Sequence, residues 1–402
     1  MLLPLSNVPR DYAWGSASAI SDLLGIPATG RPEAELWLGA HPASPARVHI
    51  EGEPVLDAWI AENPNRALRG SSHLPFLLKV LAADKPLSLQ VHPSQAQAQA
   101  GFERENERGL SLDDPSRNYR DDQHKPELIV ALSEEFVALS GFRPLEHSVA
   151  DLRAIVAAHP AASTAAIFVT ALEEIFAENP ETTLAWAVET LLRGGPAAKT
   201  IVDEFVEAAA EPSAGSAAPD ACATIQALGA AYPGDSGVLI GALLNRVVLK
   251  RGEALYLPAG NVHAYLHGLG IEVMSSSDNV LRGGLTEKHV DVDELLRVAD
   301  LNPLLEPRWQ GEQLSPQLTR FAPPVDDFVL FHYHSLASAI GPSDPITLGV
   351  AAIVLCVSGE VLVSGDHGSL VLHRGEACFL TGDEAHATIT GVGEAFLATS
   401  RG

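Results

Sequence analysis

Three short segments of the chain carry polar side chains whose types and spacing fit a buried chemical site. One has the pattern Gly252-x5-Pro258-x-Gly260-x2-His263, in which the glycines and the proline shape tight bends and His263 begins a strand. A histidine placed in this way is either a metal ligand or a hydrogen-bonded core residue. The motif alone leaves both possibilities open.

Two further segments supply groups that could act with His263. Because side chains alternate along a strand, Ser88, Gln90 and His92 share one face, opposite Leu87, Leu89 and Val91. The same period places Lys125 and Glu127 together on one face. Leaving such groups buried without partners costs about 1–3 kcal/mol each. Each segment alone also fits a half-exposed strand, but the three together indicate one shared polar site.

The elements that must position these groups fall into three regions. Residues 1–144 contain short apolar runs broken by Pro, Gly and Asn, which is typical of β-structure with long connections. From about 145 to 232, alanine and larger aliphatic residues recur at helical spacing, which predicts an inserted helical block. Within it, the Pro- and Ser-rich stretch 211–219 predicts a loop. After about 238 the β-pattern returns and continues to the end.

An internal repeat supports two similar β-units. Residues 248–264 align without a gap to residues 371–387, 123 positions further on, and nine of the seventeen positions are identical. In the second copy Thr381 and Asp383 replace Pro258 and Gly260, and no complete set of metal ligands surrounds His386. The repeat therefore predicts two barrels, of which the second has no metal.

Composition excludes several classes of partner. With 51 acidic and 26 basic residues in 402, the chain has a formal charge of −25, and it has no lysine- or arginine-rich run. Such a protein repels nucleic acid and anionic lipid. Its three scattered cysteines favour a reducing compartment. No apolar run reaches the ~20 residues of a membrane span, so a cytoplasmic protein is expected.

The His263 motif matches the second conserved motif of the cupin superfamily, and further segments point to one family within it. These are Tyr12–Ser16, Ala34–Gly39, Pro75–Leu81, Leu87–Pro93, His124–Glu127, Pro258–Tyr265 and Ser277–Thr286 with Lys288–Asp291. In content and order they resemble type I mannose-6-phosphate isomerase, a zinc-dependent bicupin. The resemblance covers the first two-thirds of the chain.

The resemblance implies that Gln90, His92, Glu127 and His263 hold one Zn²⁺ per chain. Two imidazoles and two oxygen donors suit zinc, although Fe²⁺, Co²⁺ and Mn²⁺ accept the same ligand types. With a single carboxylate, the site keeps a net charge of about +1, which favours an anionic substrate.

The resemblance also implies roles for substrate-binding and catalytic residues. Lys79 and Ser88 are expected to bind the substrate's phosphate, with a contribution from Lys125. Independently of the resemblance, Tyr265 shares a strand face with His263 and is expected to contact the sugar, and Trp14 is expected to line the same cleft. The alternative for Lys79 is a lysine that extends to solvent from a strand edge.

Catalysis is assigned to Arg282, Glu272 and Lys125. The guanidinium of Arg282 would act electrostatically. Glu272, which has apolar neighbours, is the first choice of general base; Lys125 and a metal-bound water are alternatives. Glu272 could instead form an ion pair with Arg282.

The expected activity is reversible isomerisation of D-mannose 6-phosphate and D-fructose 6-phosphate by proton transfer through a cis-enediol. The alternatives are another cupin sugar-phosphate isomerase, of the glucose-6-phosphate type, and a catalytically silent sugar-binding bicupin.

The expected fold is mainly β, with two jelly-roll-like barrels and a helical insertion. Residues 1–144 and 237–325 would form the catalytic barrel, residues 145–236 the helical domain, and residues 326–402 a barrel without metal. The small sugar phosphate is the expected partner, and the chain is expected to be a monomer or a weak homo-oligomer.

Overall fold

A computed structural model describes residues 1–336 and 342–401, and this part of the chain contains twenty strands and twelve helices. The strands are β1 (Leu2–Ser6), β2 (Glu35–Leu38), β3 (Arg47–Val48), β4 (Phe76–Ala83), β5 (Gln90–Val91), β6 (Glu127–Ala131), β7 (Glu135–Phe142), β8 (Leu244–Lys250), β9 (Ala254–Leu257), β10 (His263–Ser275), β11 (Leu281–Arg282), β12 (Arg308–Trp309), β13 (Glu312–Ser315), β14 (Leu318–Phe321), β15 (Val329–Ser335), β16 (Ile346–Thr347), β17 (Ala352–Gly365), β18 (Ser369–His373), β19 (Ala377–Leu380) and β20 (His386–Thr399). The helices are α1 (Ala19–Leu24), α2 (Leu56–Glu62), α3 (Pro64–Leu68), α4 (Gln95–Glu107), α5 (Leu145–Ala158), α6 (Ser163–Glu178), α7 (Pro180–Arg193), α8 (Gly195–Ala209), α9 (Pro212–Ala217), α10 (Pro219–Ala231), α11 (Gly237–Ala242) and α12 (Val292–Val298).

The strands form two ten-stranded sheets, and their ladders are antiparallel. The first, here called the site sheet, contains β2, β4 to β12, and its longest strand, β10, pairs with β4, β5, β6 and β7. The second, the C-terminal sheet, is built around the long pair β17 and β20 and also includes β1 and β3. Mainly β architecture is thus confirmed.

Alternation along the strands of the site sheet decides which side chains face its interior. On β4, Phe76, Leu78, Val80 and Ala82 pack into a large apolar core shared with the C-terminal sheet. The intervening Lys79 therefore points to the opposite face, on the same side as Leu81 and Ala83, which belong to a separate interior cluster. The same rule places Glu127 on the inner face of β6, because Leu128 and Val130 belong to the shared core.

The helical block, α5 to α11, covers the outer face of the strands that carry the remaining site residues. Leu89 and Val91 are fully buried in an apolar cluster formed largely by these helices, so Gln90 and His92 face the other way. The predicted alternation is confirmed: Ser88 and Gln90 are half-buried, whereas their apolar neighbours are buried.

The sequence repeat forms the same strand–turn–strand unit twice, and in each copy the two strands pair with other strands of their sheet rather than with each other. In each copy, two strands meet at an Arg-Gly-Glu turn whose glycine, Gly252 or Gly375, has φ = 85°. In each turn the glutamate carboxylate accepts a hydrogen bond from a backbone N–H three residues earlier, at 2.9 Å for Glu253 and 2.8 Å for Glu376. Two equivalent β-units are therefore present, one in each sheet.

Two features differ from the sequence-based expectations. The stretch 211–219, predicted as a loop, contains α9 and the start of α10, because proline is well tolerated in the first turn of a helix and both helices begin with one. In addition, four strands that the sequence grouped with the catalytic barrel, β1, β3, β13 and β14, belong to the C-terminal sheet, in which β1 pairs with β19. In the described residues, no helix is long and apolar enough to cross a membrane.

Candidate metal and substrate site

Three buried side chains from β6, β10 and the segment after β5 converge on one point. A carboxylate oxygen of Glu127 lies 3.2 Å from Nε2 of His92, and the other lies 3.4 Å from Nε2 of His263. One potential ligand atom from each residue lies within 4.8 Å of the others. Among the described residues this is the one such group of three or more histidine, cysteine and acidic side chains.

Hydrogen bonds orient both imidazoles toward Glu127. Nδ1 of His92 donates to the carbonyl of Asn279 at 2.8 Å, and Nδ1 of His263 donates to the carbonyl of Asn261 at 2.9 Å, because a carbonyl can only accept. Each Nε2 is then left with its lone pair. Nε2 of His92 is fully buried and has no hydrogen-bond partner, which is the arrangement that a metal ligand requires.

The charges of the group favour the ligating forms. Burial, and next the charge of Lys125, lower the pKa of His92 to about 4, so its imidazole is neutral near pH 7. Burial alone would raise the pKa of Glu127, but the Lys125 ammonium, 3.0 Å away, and the histidines hold it well below its usual range. The group therefore presents a carboxylate and a neutral imidazole at His92.

Gln90 and Arg282 lie next to this group through strand pairing. Gln90 is directly opposite His263 on one side and Arg282 on the other. Side chains in directly opposed positions have Cβ atoms about 5 Å apart. The fourth expected ligand and the expected catalytic arginine are thus neighbours of the metal-binding group.

A second buried cluster, the Lys79 cluster, consists of Lys79, Glu272, Tyr265 and Glu35. Lys79 lies 3.2 Å from a carboxylate oxygen of Glu272 and 3.7 Å from one of Glu35. The Tyr265 hydroxyl donates to Glu272 at 3.0 Å. Lys79 is therefore a buried, paired cation, and the alternative of an edge lysine that reaches solvent is wrong.

In the Lys79 cluster, neighbouring charges outweigh the effect of burial on the pKa of Lys79, whereas for Glu272 and Tyr265 burial and neighbouring carboxylates raise the pKa together. Burial alone would lower the pKa of Lys79, but Glu35 and Glu272 raise it, so the ammonium is kept. For Glu272, burial and the charges of Glu127 and Glu35 outweigh Lys79 and raise the pKa of the carboxyl. Burial and the charge of Glu272 raise the pKa of Tyr265 well above its ordinary value.

The remaining expected residues line the same region. Trp14 packs against the interior cluster that includes Tyr265, and its ring stacks on Tyr12 at 5.8 Å. Ser88 is half-buried on the same face as Gln90. Glu272 forms its ion pair with Lys79, and no ion pair joins it to Arg282 in the described part of the chain.

Three basic side chains near Gln90 have no acidic partner within the described residues: Arg120, Arg282 and Lys288. Burial, and next the charge of Arg120, lower the pKa of Arg282. Burial, and then the charges of both arginines, lower the pKa of Lys288. These three cations, the cation cluster, therefore repel one another without a counter-charge.

Sequence reasoning did not single out Arg120, Lys288, Glu35 or Asn279 as functional. Glu35 had one usable signal, because it is the one charged residue of an otherwise apolar strand and shares a strand face with Trp37. The indole of Trp37 donates to its carboxylate at 2.8 Å. Arg120 had none, because its position near Arg282 depends on loops distant in sequence.

The fold and site together define a class: antiparallel β-sheet proteins in which buried histidine and glutamate side chains are placed to hold a divalent metal beside a cluster of cations.

Comparison with known proteins identifies the family within this class. Residues 2–145 match the family model "Phosphomannose isomerase type I, catalytic domain", and residues 319–400 match "Mannose-6-phosphate isomerase, cupin domain". The chain is 38% identical over 406 residues to the mannose-6-phosphate isomerase of Salmonella typhimurium, covering 97% of each chain. It is 32% identical to that of Rattus norvegicus, covering 95% of this chain and 94% of the relative.

A solved structure agrees over the full length. The chain superimposes on a zinc-bound mannose 6-phosphate isomerase with a TM-score of 0.84, at 36% identity, covering 100% of this chain and 99% of the other. The chain therefore belongs to the type I phosphomannose isomerase family, and it carries that family's catalytic domain. The resemblance seen in the sequence is confirmed.

Proposed function

We propose that the chain catalyses the reversible isomerisation of D-mannose 6-phosphate and D-fructose 6-phosphate with one Zn²⁺ held by Gln90, His92, Glu127 and His263. The observation that carries this is the convergence of the two histidines and Glu127, with a buried, unpartnered Nε2 on His92. The donor set fits zinc, since imidazole and carboxylate are among its preferred ligands. The relatives of the same family are mannose-6-phosphate isomerases.

When bound, the metal supplies Lewis-acid polarisation of the sugar's carbonyl and hydroxyl oxygens without a change of redox state. Glu127 is the one carboxylate of the set, so the loaded site carries a net charge of about +1. Lys125, 3.0 Å from Glu127, adds a further positive charge. Both favour the enediolate that forms as a proton leaves carbon.

Glu272 is proposed as the general base. In the open-chain sugar its carboxylate removes the proton from C2 of mannose 6-phosphate, the C1–C2 double bond forms, and the carbonyl oxygen is protonated. Glu272 then returns the proton to C1 while the C2 hydroxyl releases its own proton to solvent, which balances the proton taken up by the C1 oxygen, and the new carbonyl at C2 gives fructose 6-phosphate. Its raised pKa brings the carboxylate closer in basicity to neutral pH, where such a base works best. Lys79 and Tyr265 hold its two oxygens at 3.2 Å and 3.0 Å.

The substrate's phosphate is proposed to bind at the cation cluster. Arg120, Arg282 and Lys288 lack acidic partners within the described residues, so a phosphate dianion would relieve their mutual repulsion. Lys79 already balances two carboxylates, which makes it a weaker phosphate site than the sequence suggested. Ser88 is proposed to donate to the phosphate, and Trp14 and Tyr265 to contact the sugar.

The proton-transfer step is tested in deuterated water. Product and recovered substrate should carry deuterium at the carbon to which the proton returns. Complete absence of exchange would indicate an internal hydride shift and would remove the role of Glu272. Turnover of mannose 6-phosphate, but not glucose 6-phosphate, separates the proposed activity from a glucose-6-phosphate isomerase; turnover of neither would favour a silent sugar-binding protein.

The finer architecture is proposed as a bicupin. Its support is the repeated strand–turn–strand unit, found once in each sheet, and the contiguous helices between residues 145 and 242. The proposed domains are residues 1–144 with 237–325, 145–236, and 326–402, with β1, β3, β13 and β14 paired across these limits. We also propose a cytoplasmic location, which the three free, buried cysteines support. The chain is further proposed to be a monomer or a weak homo-oligomer.

A further inference from the structure

Asn279 lies where three site segments meet, and its side chain uses all of its hydrogen-bonding groups. It is fully buried. Its Oδ1 accepts from the backbone N–H of Arg120 at 2.7 Å and of Asp121 at 3.2 Å. Its Nδ2 donates to the carbonyls of Asp121 at 2.9 Å and Gln123 at 2.8 Å, and to the Asp121 carboxylate at 3.1 Å. One amide thus fixes the segment that leads to Lys125 and Glu127.

The backbone carbonyl of the same residue orients a proposed metal ligand. It accepts the Nδ1 hydrogen of His92 at 2.8 Å, which leaves Nε2 as the free, buried lone pair facing Glu127. Three residues further on, the same segment carries Arg282. The amide therefore couples the positions of His92, Glu127 and the cation cluster.

We propose that Asn279 is a positioning residue for the metal centre, which sets the ring orientation of His92 and its distance from Glu127. The proposal rests on the proposed function insofar as a metal binds between these residues. Loss of an outer hydrogen-bond partner of a ligating histidine commonly costs about 10- to 100-fold in metal affinity. Asn279→Ala keeps the backbone carbonyl that accepts from His92 but removes the side-chain amide that holds this carbonyl against residues 120–123, so we expect a loss of metal affinity of that size.

Two nearby serines provide graded comparisons. Ser277 donates to the Asp121 carboxylate at 2.8 Å and accepts from the backbone N–H of Asn279 at 3.2 Å, so it supports the same arrangement less directly. Ser275 also joins the two segments, through a 2.7 Å bond to the carbonyl of His124, but no hydrogen bond links it to Asn279 or His92. Its loss should affect stability alone.

The experiment measures the Kd for Zn²⁺ by chelator competition in the full chain and in the variants Asn279→Ala, Ser277→Ala and Ser275→Ala. The visible spectrum of each Co²⁺-loaded protein reports the ligand geometry. We expect a Kd about 10- to 100-fold higher for Asn279→Ala, with an altered cobalt spectrum, an intermediate Kd for Ser277→Ala, and an unchanged Kd for Ser275→Ala.

Zinc binding by the chain and the positioning role of Asn279 are contradicted by different results. If the wild-type chain binds no zinc, the proposed metal centre is wrong. If it binds zinc, but Asn279→Ala and Ser277→Ala bind it as tightly as Ser275→Ala, the positioning role is overturned. Equal weakening in all three variants would also overturn it, since that result indicates general loop stability. Should Asn279→Ala not fold, Ser277→Ala against Ser275→Ala gives the same decision.

Discussion

At the residue scale, the two nitrogens of His92 have different surroundings, and as a result the stability of the fold is sensitive to acid. Nδ1 is bound to a carbonyl, whereas Nε2 is buried without a partner. A second proton would place an unhydrated charge beside Lys125. The folded chain therefore resists protonation that the unfolded chain accepts.

This predicts a pH-dependent stability of the metal-free protein. The pKa of His92 falls from 6.5 to about 4 on folding, so the unfolded state binds more protons between these values. The free energy of unfolding should decrease as pH falls from about 6.5 to about 4, by about 3 kcal/mol in total from this group. Urea unfolding at several pH values, for wild type and His92→Gln, measures it. Identical pH slopes in the two proteins would contradict the prediction.

The proposed base is tested by a pair of isosteric changes. Glu272→Gln removes the carboxylate that accepts the proton, and kcat should fall by about 10²- to 10⁴-fold with a smaller change in KM. Glu35→Gln removes the other carboxylate partner of Lys79 and serves as the matched control. We expect it to lose much less kcat. Equal losses in the two variants would mean that both act only on Lys79.

Residue-level prediction from sequence succeeded where one strand period decided the answer. The alternation of Ser88, Gln90 and His92 with leucine and valine needs no tertiary information. Arg120 and Asn279 could not be assigned in this way, because their roles depend on loops more than 150 positions apart in the chain, as the Asn279–Arg120 bond shows.

At the element scale, the turns of the two repeated strand–turn–strand units have the same backbone conformation but different surroundings. Gly252 and Gly375 share φ = 85°, a backbone conformation that residues other than glycine rarely adopt. A Cβ at Gly252 would meet nothing within 4 Å, whereas one at Gly375 would lie 2.8 Å from the backbone of Leu24. The first turn is open, and the second is packed against α1.

Alanine substitutions at the two glycines should therefore differ. Gly252→Ala should cost about 1–2 kcal/mol of stability from the left-handed backbone alone. Gly375→Ala should cost more, because the clash with backbone forces the turn or α1 to shift. Equilibrium unfolding of both variants measures the loss of stability. An equal or smaller loss for Gly375→Ala would show that α1 moves away from the turn at little energetic cost.

Helices and strands could be predicted from the sequence where a local pattern determines them, but not where residues distant in the chain do. The helical block is evident from its periodicity, but the Pro- and Ser-rich stretch that forms α9 gives the same signal as a loop. The pairing of β1 with β19 joins Leu2 to Leu380, and no local pattern at either end indicates that partner.

At the scale of the whole molecule, a net charge of −25 contrasts with a site that binds an anion. The chain has six lysines, and two of them, Lys79 and Lys125, lie buried in the site clusters. Lys288 adds a third in the cation cluster. Positive charge is thus concentrated where the sugar phosphate is proposed to bind.

Loss of one cluster cation should weaken substrate binding selectively. Lys288→Gln should raise the KM for mannose 6-phosphate about tenfold or more, with a smaller effect on kcat, because the phosphate is distant from the reacting carbons. The exposed Lys250, changed to Gln, has the same effect on net charge and should leave KM unchanged. Similar KM values for both variants would place the phosphate elsewhere.

We propose that this molecule isomerises mannose 6-phosphate with a metal bound at His92, Glu127 and His263. The most direct measurement is the rate of fructose 6-phosphate formation by the purified chain after exhaustive chelation, before and after addition of one equivalent of Zn²⁺. We expect no activity without metal and recovery of activity with zinc. Full activity of the metal-free protein would contradict it.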